Sequence, residues 1–498
     1  MKCILTSYIK SNIININKGG DASMDSDTEI YNVWARQICK IKPLINRKVI
    51  NQLQSFDVKM DNISAFKEIG RILQKANLNN GMISVKEERM INDKLEEIKN
   101  GEAINEKELE KIKDEKEKEK RRKEMGKLCY IHSIITLFDN QLPEYKISHS
   151  NWHNHNFGPD NTIIEPLNSE YENQKIKIYP HVRSKLPNTS KQNMMLSNIN
   201  MFLEKHILLF DEDEEDYKVV FHYLGDFFEG EMIDDKLSIA VSPICDYAEF
   251  EYECKRDDIV NTIKFYGISN KEDVRERCVN TLAAAINSGA HIIVFPELMG
   301  MPELEDDFRK VLIEAESDVL VFLPSYMKEG YNRGIIMYGA GERDIIIQNK
   351  LYPFHLKQDN YDYMEEIEVG KELHIIMIER VGSIAEAICV DYLMNDVRNM
   401  LCKLRTDIVV NPSFSPGYNY FYEVYSSNVI NNLNSIWINT CSVFKPGLFE
   451  RYYNTNEISM LSMCNKKSNR NLDKVYTRDE KCECSDKKAC LFMYTIKV

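Results

Sequence analysis

A cysteine, a glutamate and a lysine each close an apolar stretch in the second half of the chain. Cys389 ends Ser383-Ile-Ala-Glu-Ala-Ile-Cys389, with Asp391 two positions on. Glu297 ends His291-Ile-Ile-Val-Phe-Pro-Glu297, and Lys350 ends Ile345-Ile-Ile-Gln-Asn-Lys350. A thiol needs a base to become a thiolate, and a forming oxyanion needs a cation or an N–H donor. A carboxylate at the end of an apolar strand sits in a partly dry cleft, where burial raises its proton affinity toward the range of a general base. A charged lysine is a poor base but a good donor to an anion. Each residue also has a plainer reading: a small buried hydrophobe for Cys389, an exposed strand-end carboxylate for Glu297, a surface lysine for Lys350. Their joint occurrence at three strand ends favours the chemical reading, because α/β enzymes assemble sites from such positions. Glu303 and Glu305, on a loop and helix nearby, are weaker candidates for the base.

The elements that must position these residues alternate between strand and helix. Leu237–Ser242 reads as a first strand, and Val274, Cys278, Leu282, Ala285 and Ile286 mark one face of a helix ending at Gly289. A helix over Glu305–Glu316 follows, then strands at Val319–Leu323 and Gly334–Tyr338 and a tight Gly339-Ala-Gly341 turn. An apolar run from Cys490 to Ile496 reads as a closing strand. Hairpins between the helices suggest two packed sheets flanked by helices.

The order Glu, Lys, Cys, in the contexts Phe-Pro-Glu, Asn-Lys-Leu and Ile-Cys-Val-Asp, resembles the nitrilase (carbon–nitrogen hydrolase) superfamily over residues 236–498. Asp407-Ile-Val-Val-Asn-Pro-Ser413 is similar to the family's strand after the nucleophile helix, and Ser435-Ile-Trp-Ile-Asn-Thr440 to its strand ending in asparagine. The resemblance implies an αββα sandwich with Cys389 as nucleophile and Glu297 as general base. Lys350 and the backbone N–H of Val390 would hold the tetrahedral oxyanion. Many members place a second glutamate a few residues before a glycine. Here Met364-Glu365-Glu366-Ile-Glu368-Val-Gly370 offers Glu365 or Glu366, two to three residues closer to the glycine than usual. The implied reaction is attack on an amide or nitrile carbon to give a thioester, which water or another amine then cleaves. It needs no metal or organic cofactor. Family members usually pair through helices beside the nucleophile, here Asn395–Leu404 with an apolar stripe of Val397, Met400, Leu401 and Leu404.

The totals bound the remaining possibilities. A length of 498 residues suggests two to three domains with ample core. Hydrophobic residues make up 43% and charged residues 29%, as in a globular protein. A net charge of −14 argues against broad nucleic-acid binding, though a local basic face remains open. No apolar run is long enough to cross a membrane, and the first residues lack a secretory cleavage pattern. Thirteen cysteines, an odd number, read as reduced thiols in a cytoplasmic protein. Met24 is an alternative start to Met1.

Three regions follow from the pattern. Residues 1–140 read as helical, with Ile30, Val33, Trp34 and Ile38 at helical spacing and a highly charged helix or spacer over 102–127. Within that spacer Lys120-Arg-Arg-Lys123 is either solvated or a contact arm. Residues 141–235 read as a mixed connecting or interaction region, with a strand at Lys175–Tyr179, a helix around Met194–Leu209 and an apolar segment Tyr217–Phe228. Residues 236–498 form the nitrilase-like domain. His149, His153 and His155 sit in a loop and, like Cys464, Cys482, Cys484 and Cys490, have the residue types of a zinc site but not its spacing. No metal is therefore expected. The leading reading is a hydrolase of a small amide or nitrile with an N-terminal partner or regulatory module. Its rivals are a catalytically silent nitrilase-like scaffold and a nucleic-acid-associated accessory or defence protein.

Overall fold

A computed structural model describes residues 28–45, 49, 52–53, 60, 63–78, 82–102, 104, 109, 112–141, 163–164, 166–171, 174–182, 184, 186, 199–203, 205–213, 217–228, 235–244, 249–255, 260–339, 344–358, 361–415, 418–428, 434–439, 457–463, 472–477 and 489–497. The histidine loop, Cys464, Cys482, Cys484 and the Gly339–Gly341 turn beyond its first residue lie outside them.

The N-terminal part is built on helical spacing. Strand β1 (Thr28–Glu29) leads into α1 (Ile30–Ile41), whose Ile30, Val33, Trp34, Ile38 and Ile41 are buried. Helix α2 (Ser64–Leu78) follows, then β2 (Met82–Ile83), which pairs with β1. A capping box between Ser84 and Glu87 starts α3 (Val85–Lys99). Helix α4 (Glu115–Gln141) takes in the second half of the charged stretch. Its Arg122 and Lys123 pair with Glu119 at 3.1 and 3.4 Å, so part of the basic cluster is neutralised within the helix. Its second half buries Cys129, Ile131, Ile134 and Phe138 in a core shared with α1, α2 and α3.

Strands β3 (Leu167–Tyr171), β4 (Gln174–Pro180) and β5 (His206–Phe210) form an antiparallel sheet against this core. The helix expected around Met194–Leu209 is therefore corrected. Its described part is a short 3-10 turn, Ile199–Phe202, followed by β5. All five residues of β5 are buried and pair with β4 from Ile176–Phe210 to Pro180–His206, so sheet pairing overrides the local helical spacing.

The rest of the chain is mixed α/β. In order come β6 (Lys218–Gly225), β7 (Lys236–Val241), β8 (Phe250–Lys255), β9 (Asn261–Ile268), α5 (Lys271–Asn287), β10 (Ile292–Val294) and α6 (Glu303–Ala315). Then follow β11 (Leu320–Phe322), β12 (Tyr326–Lys328), β13 (Tyr331–Met337), β14 (Ile345–Asn349), β15 (His355–Gln358), β16 (Tyr361–Glu365), β17 (Glu372–Ile378) and β18 (Gly382–Glu386). The chain continues with α7 (Asn395–Lys403), β19 (Ile408–Ser413), α8 (Tyr418–Asn428), β20 (Asn434–Asn439), β21 (Glu457–Met463), β22 (Leu472–Thr477) and β23 (Phe492–Lys497).

Among the described residues these strands make two seven-stranded sheets and one of four strands. The first large sheet runs β12-β13-β11-β10-β7-β23, with β14 on β13, and the second runs β22-β21-β20-β19-β18-β17-β6. Ile239, Val294 and Ile336 of the first share one apolar cluster with Ile376, Ile384 and Val410 of the second. On its other face the first sheet meets Val274 and Leu282 of α5 and Phe308 of α6. The second meets Val397 and Leu401 of α7, Phe421 of α8 and Leu209 of β5.

Two features of this half bear on the expected domain limits and on the pairing of copies. The boundary at residue 236 cuts off β6, which pairs in parallel with β17 from Lys218–Glu372 onward. The large sheet thus reaches back into the segment assigned to the connecting region, because Val219, Phe221 and Tyr223 complete its outer apolar face. The stripe expected to pair two copies is also spent within the chain. Val397, Met400, Leu401 and Leu404 are all buried against their own sheet, and Lys403 and Arg405 at the end of α7 reach Asp213 and Asn200.

Candidate active site

Glu297, Lys350 and Cys389 leave three different strands at the same end of the two large sheets, as their positions in the sequence require. Glu297 follows β10, Lys350 follows β14 and Cys389 follows β18. All three are buried, and Glu365 joins them from the last position of β16. Lys350 Nζ donates to Glu297 Oε1 at 2.8 Å and to Glu365 Oε2 at 2.6 Å. The backbone repeats the convergence: Lys350 N–H donates to the Asn332 carbonyl at 2.9 Å, and Gly370 N–H to the Lys350 carbonyl at 2.7 Å. A Cβ at Gly370 would collide with the carbonyl of Asn349, so this approach requires glycine.

Glu366 is not part of this cluster. Its side chain pairs with Lys264 at 2.9 Å, on the partly exposed face of the four-stranded sheet. Of the two glutamates left open by the sequence, Glu365 is the one beside Lys350, as successive side chains of a strand point to opposite faces.

Glu297 is held on both oxygens. Asn332 Nδ2 donates to Oε1 at 2.8 Å, and Phe414 N–H donates to Oε2 at 2.6 Å. Burial raises its proton affinity, and the charge of Glu365 adds to that, while Lys350 and a hydrogen bond with Cys389 pull the other way. For Lys350, burial alone would favour the neutral amine, but the facing carboxylates Glu297 and Glu365 hold its pKa well above the usual lysine range. The ammonium is therefore fixed and unavailable as a base.

Cys389 has φ of +50°, a left-handed conformation that non-glycine residues adopt at a cost of about 1–3 kcal/mol. It opens a 3-10 turn, Cys389–Leu393. Its Sγ lies 3.9 Å from the Phe414 carbonyl, and its own carbonyl accepts from Asn411 Nδ2 at 3.0 Å. Burial and then the Glu297 charge push the thiol well above its usual range, so it rests protonated.

Asp391 ties the turn at Cys389 to the loop after Lys350. It accepts from Leu351 N–H at 3.0 Å, Tyr352 N–H at 2.9 Å and Ile388 N–H at 3.3 Å. Burial pushes its carboxyl up to about 8 against the pull of those donors.

Sequence reasoning missed Asn332, whose Nδ2 also reaches Glu365 Oε1 at 3.4 Å. Nothing local distinguishes an asparagine near the start of a strand, so only the pairing of β13 with β14 would have found it. Phe414 was likewise missed, because it acts through its backbone. Among the other expected candidates, Glu305 accepts from the Tyr326 hydroxyl at 2.6 Å, and Cys490 N–H donates to Thr281 Oγ1 at 3.2 Å.

No family model matches the chain, and no curated protein matches it. Similar solved structures include the Caenorhabditis elegans NitFhit protein, at 14% identity over 42% of this chain and TM-score 0.30. The chain spans about half of that protein's length, 52%. Nit3 of Saccharomyces cerevisiae, a member of branch 10 of the nitrilase superfamily, is 12% identical over 49% of this chain and 91% of its own, with TM-score 0.32. An amidase of the nitrilase superfamily from Nesterenkonia is 9% identical over 54% of this chain and 93% of its own, with TM-score 0.35. The solved structures to which the chain is similar are thus nitrilase-superfamily proteins, each matched over roughly half of this chain.

Proposed function

We propose that the chain is a cysteine-dependent carbon–nitrogen hydrolase of the nitrilase type, acting on a small amide or nitrile. One observation carries this: a fixed ammonium, Lys350, stands between two carboxylates, with the Cys389 thiol against the same Glu297. In this reading Glu297 takes the thiol proton as Cys389 Sγ bonds to the substrate carbon. With an amide the resulting oxyanion is held by Lys350 Nζ and the Val390 N–H, one such donor lowering the barrier by on the order of 3 kcal/mol. With a nitrile the attack gives a thioimidate that adds one water to reach the same tetrahedral carbon. Glu297 passes its proton to the leaving nitrogen, the carbon–nitrogen bond breaks and ammonia or an amine departs. A water then gives its proton to Glu297 and cleaves the thioester, releasing the acid and restoring the thiol. Glu365 holds Lys350 in place, and no step calls on a metal or an organic cofactor.

The shared cluster between the large sheets and the helices outside them support an αββα sandwich for this half of the chain. The N-terminal helices and their three-stranded sheet form a module suited to a protein partner or to regulation. A second reading, a silent nitrilase-like scaffold, is favoured by how little of the site is exposed: Cys389 at 2% and Glu297 at 1%. Ammonia release from a panel of small primary carboxamides and nitriles separates the two. Turnover that disappears in Cys389→Ala supports the hydrolase, and silence across the panel with an unreactive thiol supports the scaffold.

A further inference from the structure

Glu386, the last residue of β18, is a buried carboxyl that the proposed reaction does not use. Neither of its oxygens has a hydrogen-bond partner among the described residues. A carboxylate in that position loses its hydration and gains nothing in return, so the group settles as the neutral acid. Burial, followed by the charge of Asp391, pushes it up to about 8. A neutral acid has a proton to donate.

A second unsatisfied group lies nearby. Asn332 Nδ2 faces Glu297 and Glu365, at 2.8 and 3.4 Å. Carboxylates only accept, so the amide must turn its nitrogen toward them. Its Oδ1 then points elsewhere, and that atom is buried without a partner among the described residues.

The strand geometry brings the two groups together. Asn332 and Gly334 are two residues apart on β13 and share a face, the one that also carries Ile336 into the space between the sheets. Glu386 Oε2 lies 2.7 Å from where a Cβ on Gly334 would stand, so the carboxyl occupies room that only glycine leaves. Side chains two apart on a strand are separated by about 7 Å, a gap that a glutamate and one buried water can span.

We propose that Glu386 is a positioning residue: its carboxylic acid donates to Asn332 Oδ1, directly or through one water, and so holds Asn332 Nδ2 on Glu297 and Glu365. The proposal rests on the hydrolase reading for its role in catalysis. Three groups bear on its titration. Asp391 follows it in the turn. His374 sits on neighbouring β17, one position beyond the Ile375–Ala385 pair, and burial lowers its pKa to about 4, leaving it neutral. Lys350 is engaged by Glu297 and Glu365. None supplies a counter-charge, so losing the proton removes the donor and sets a negative charge beneath the amide.

The test follows alkylation of Cys389 by iodoacetamide, from neutral to alkaline pH, in the full chain and in Glu386→Gln and Glu386→Leu. Glutamine donates at every pH, and leucine never does. The wild type is expected to show an inflection near pH 8, where Glu386 titrates and Asp391 beside it titrates in the same range. Glu386→Gln should keep the neutral-pH rate within about twofold and lose the share of that inflection that Glu386 carries, and Glu386→Leu should be about tenfold slower at neutral pH. If Glu386→Leu does not fold, the glutamine variant decides: a folded Glu386→Gln whose rate profile superimposes on that of the wild type across this pH range overturns the proposal. So does a leucine variant with the wild-type rate and profile. Amide hydrolysis is measured separately. A wild type that hydrolyses no amide but shows this alkylation pattern removes the hydrolase reading and leaves the placement of Glu386 standing.

Discussion

The backbone N–H of Phe414 is hydrogen-bonded to Oε2 of Glu297 at 2.6 Å, and the carbonyl of the same residue stands 3.9 Å from Cys389 Sγ. One residue just past the end of β19 therefore sets the spacing between the proposed base and the proposed nucleophile. Phe414 also packs its ring at 4.9 Å from Phe250 and 5.6 Å from Phe265, so the four-stranded sheet braces that residue.

Glu297→Gln keeps the shape of the side chain and loses the proton transfer. A fall in kcat/KM of roughly a hundredfold or more is expected, since general-base catalysis contributes on that scale. Glu297 must be deprotonated to act, and its pKa is raised above the ordinary 4.5. Wild-type kcat/KM should therefore climb with pH through a limb above that value. An acid limb at or below 4.5, or a glutamine variant with a near-normal rate, contradicts the assignment.

Glu365 and Glu366 are neighbours with opposite expectations. Glu365→Gln removes a buried partner of Lys350, and losing one side of a buried charge pair costs roughly 3–5 kcal/mol. Both turnover and thermal stability should drop. Glu366→Gln removes an exposed pair with Lys264, which solvent screens, and should leave both readouts almost unchanged. Equal losses in the two variants, read by melting and by ammonia release, would refute the choice of Glu365.

A chain shortened to begin at residue 236 tests where the second half begins. It lacks β6, which leaves the edge of β17 unpaired and the apolar face around Phe221 uncovered. Aggregation, or a melting point lower by roughly 10 °C or more, is expected. A soluble product that melts like the full chain would show that β6 is dispensable.

The site was legible in the sequence wherever chemistry and strand ends coincide. Glu297, Lys350 and Cys389 each follow an apolar run, and their side chains meet or face one another in the fold. Asn332 and Glu386 were not legible, because the groups each of them faces lie on strands distant in the sequence. An acidic residue inside Ser383-Ile-Ala-Glu-Ala-Ile was the available signal for Glu386, since a carboxyl inside an apolar run demands an explanation. In the sequence β6 shows only as part of the apolar segment Tyr217–Phe228, because its partner β17 lies about 150 residues away, well beyond any local pattern. The error over Met194–Leu209 has the same origin, as β5 takes its conformation from β4.

Stability against pH offers an independent check on Glu386. Its folded pKa of about 8 lies above the ordinary 4.5, so between those values the folded state binds a proton that the unfolded state has released. The stabilisation is complete below 4.5 and is lost as pH rises through about 8. Glu386→Gln has no such proton, so its stability relative to wild type should improve from pH 5 to pH 8.5 in urea unfolding. A constant difference across that range would mean that Glu386 is already ionised in the folded state.

The account stands most directly on Cys389 forming a bond to the substrate carbon. Acid quenching during turnover of a small carboxamide, followed by peptide mass measurement, reads that bond. The predicted result is an acyl group on the Cys389 peptide, absent in Cys389→Ala, with turnover abolished in Cys389→Ser. Full activity in the serine variant, or an acyl group on some other residue, would contradict it.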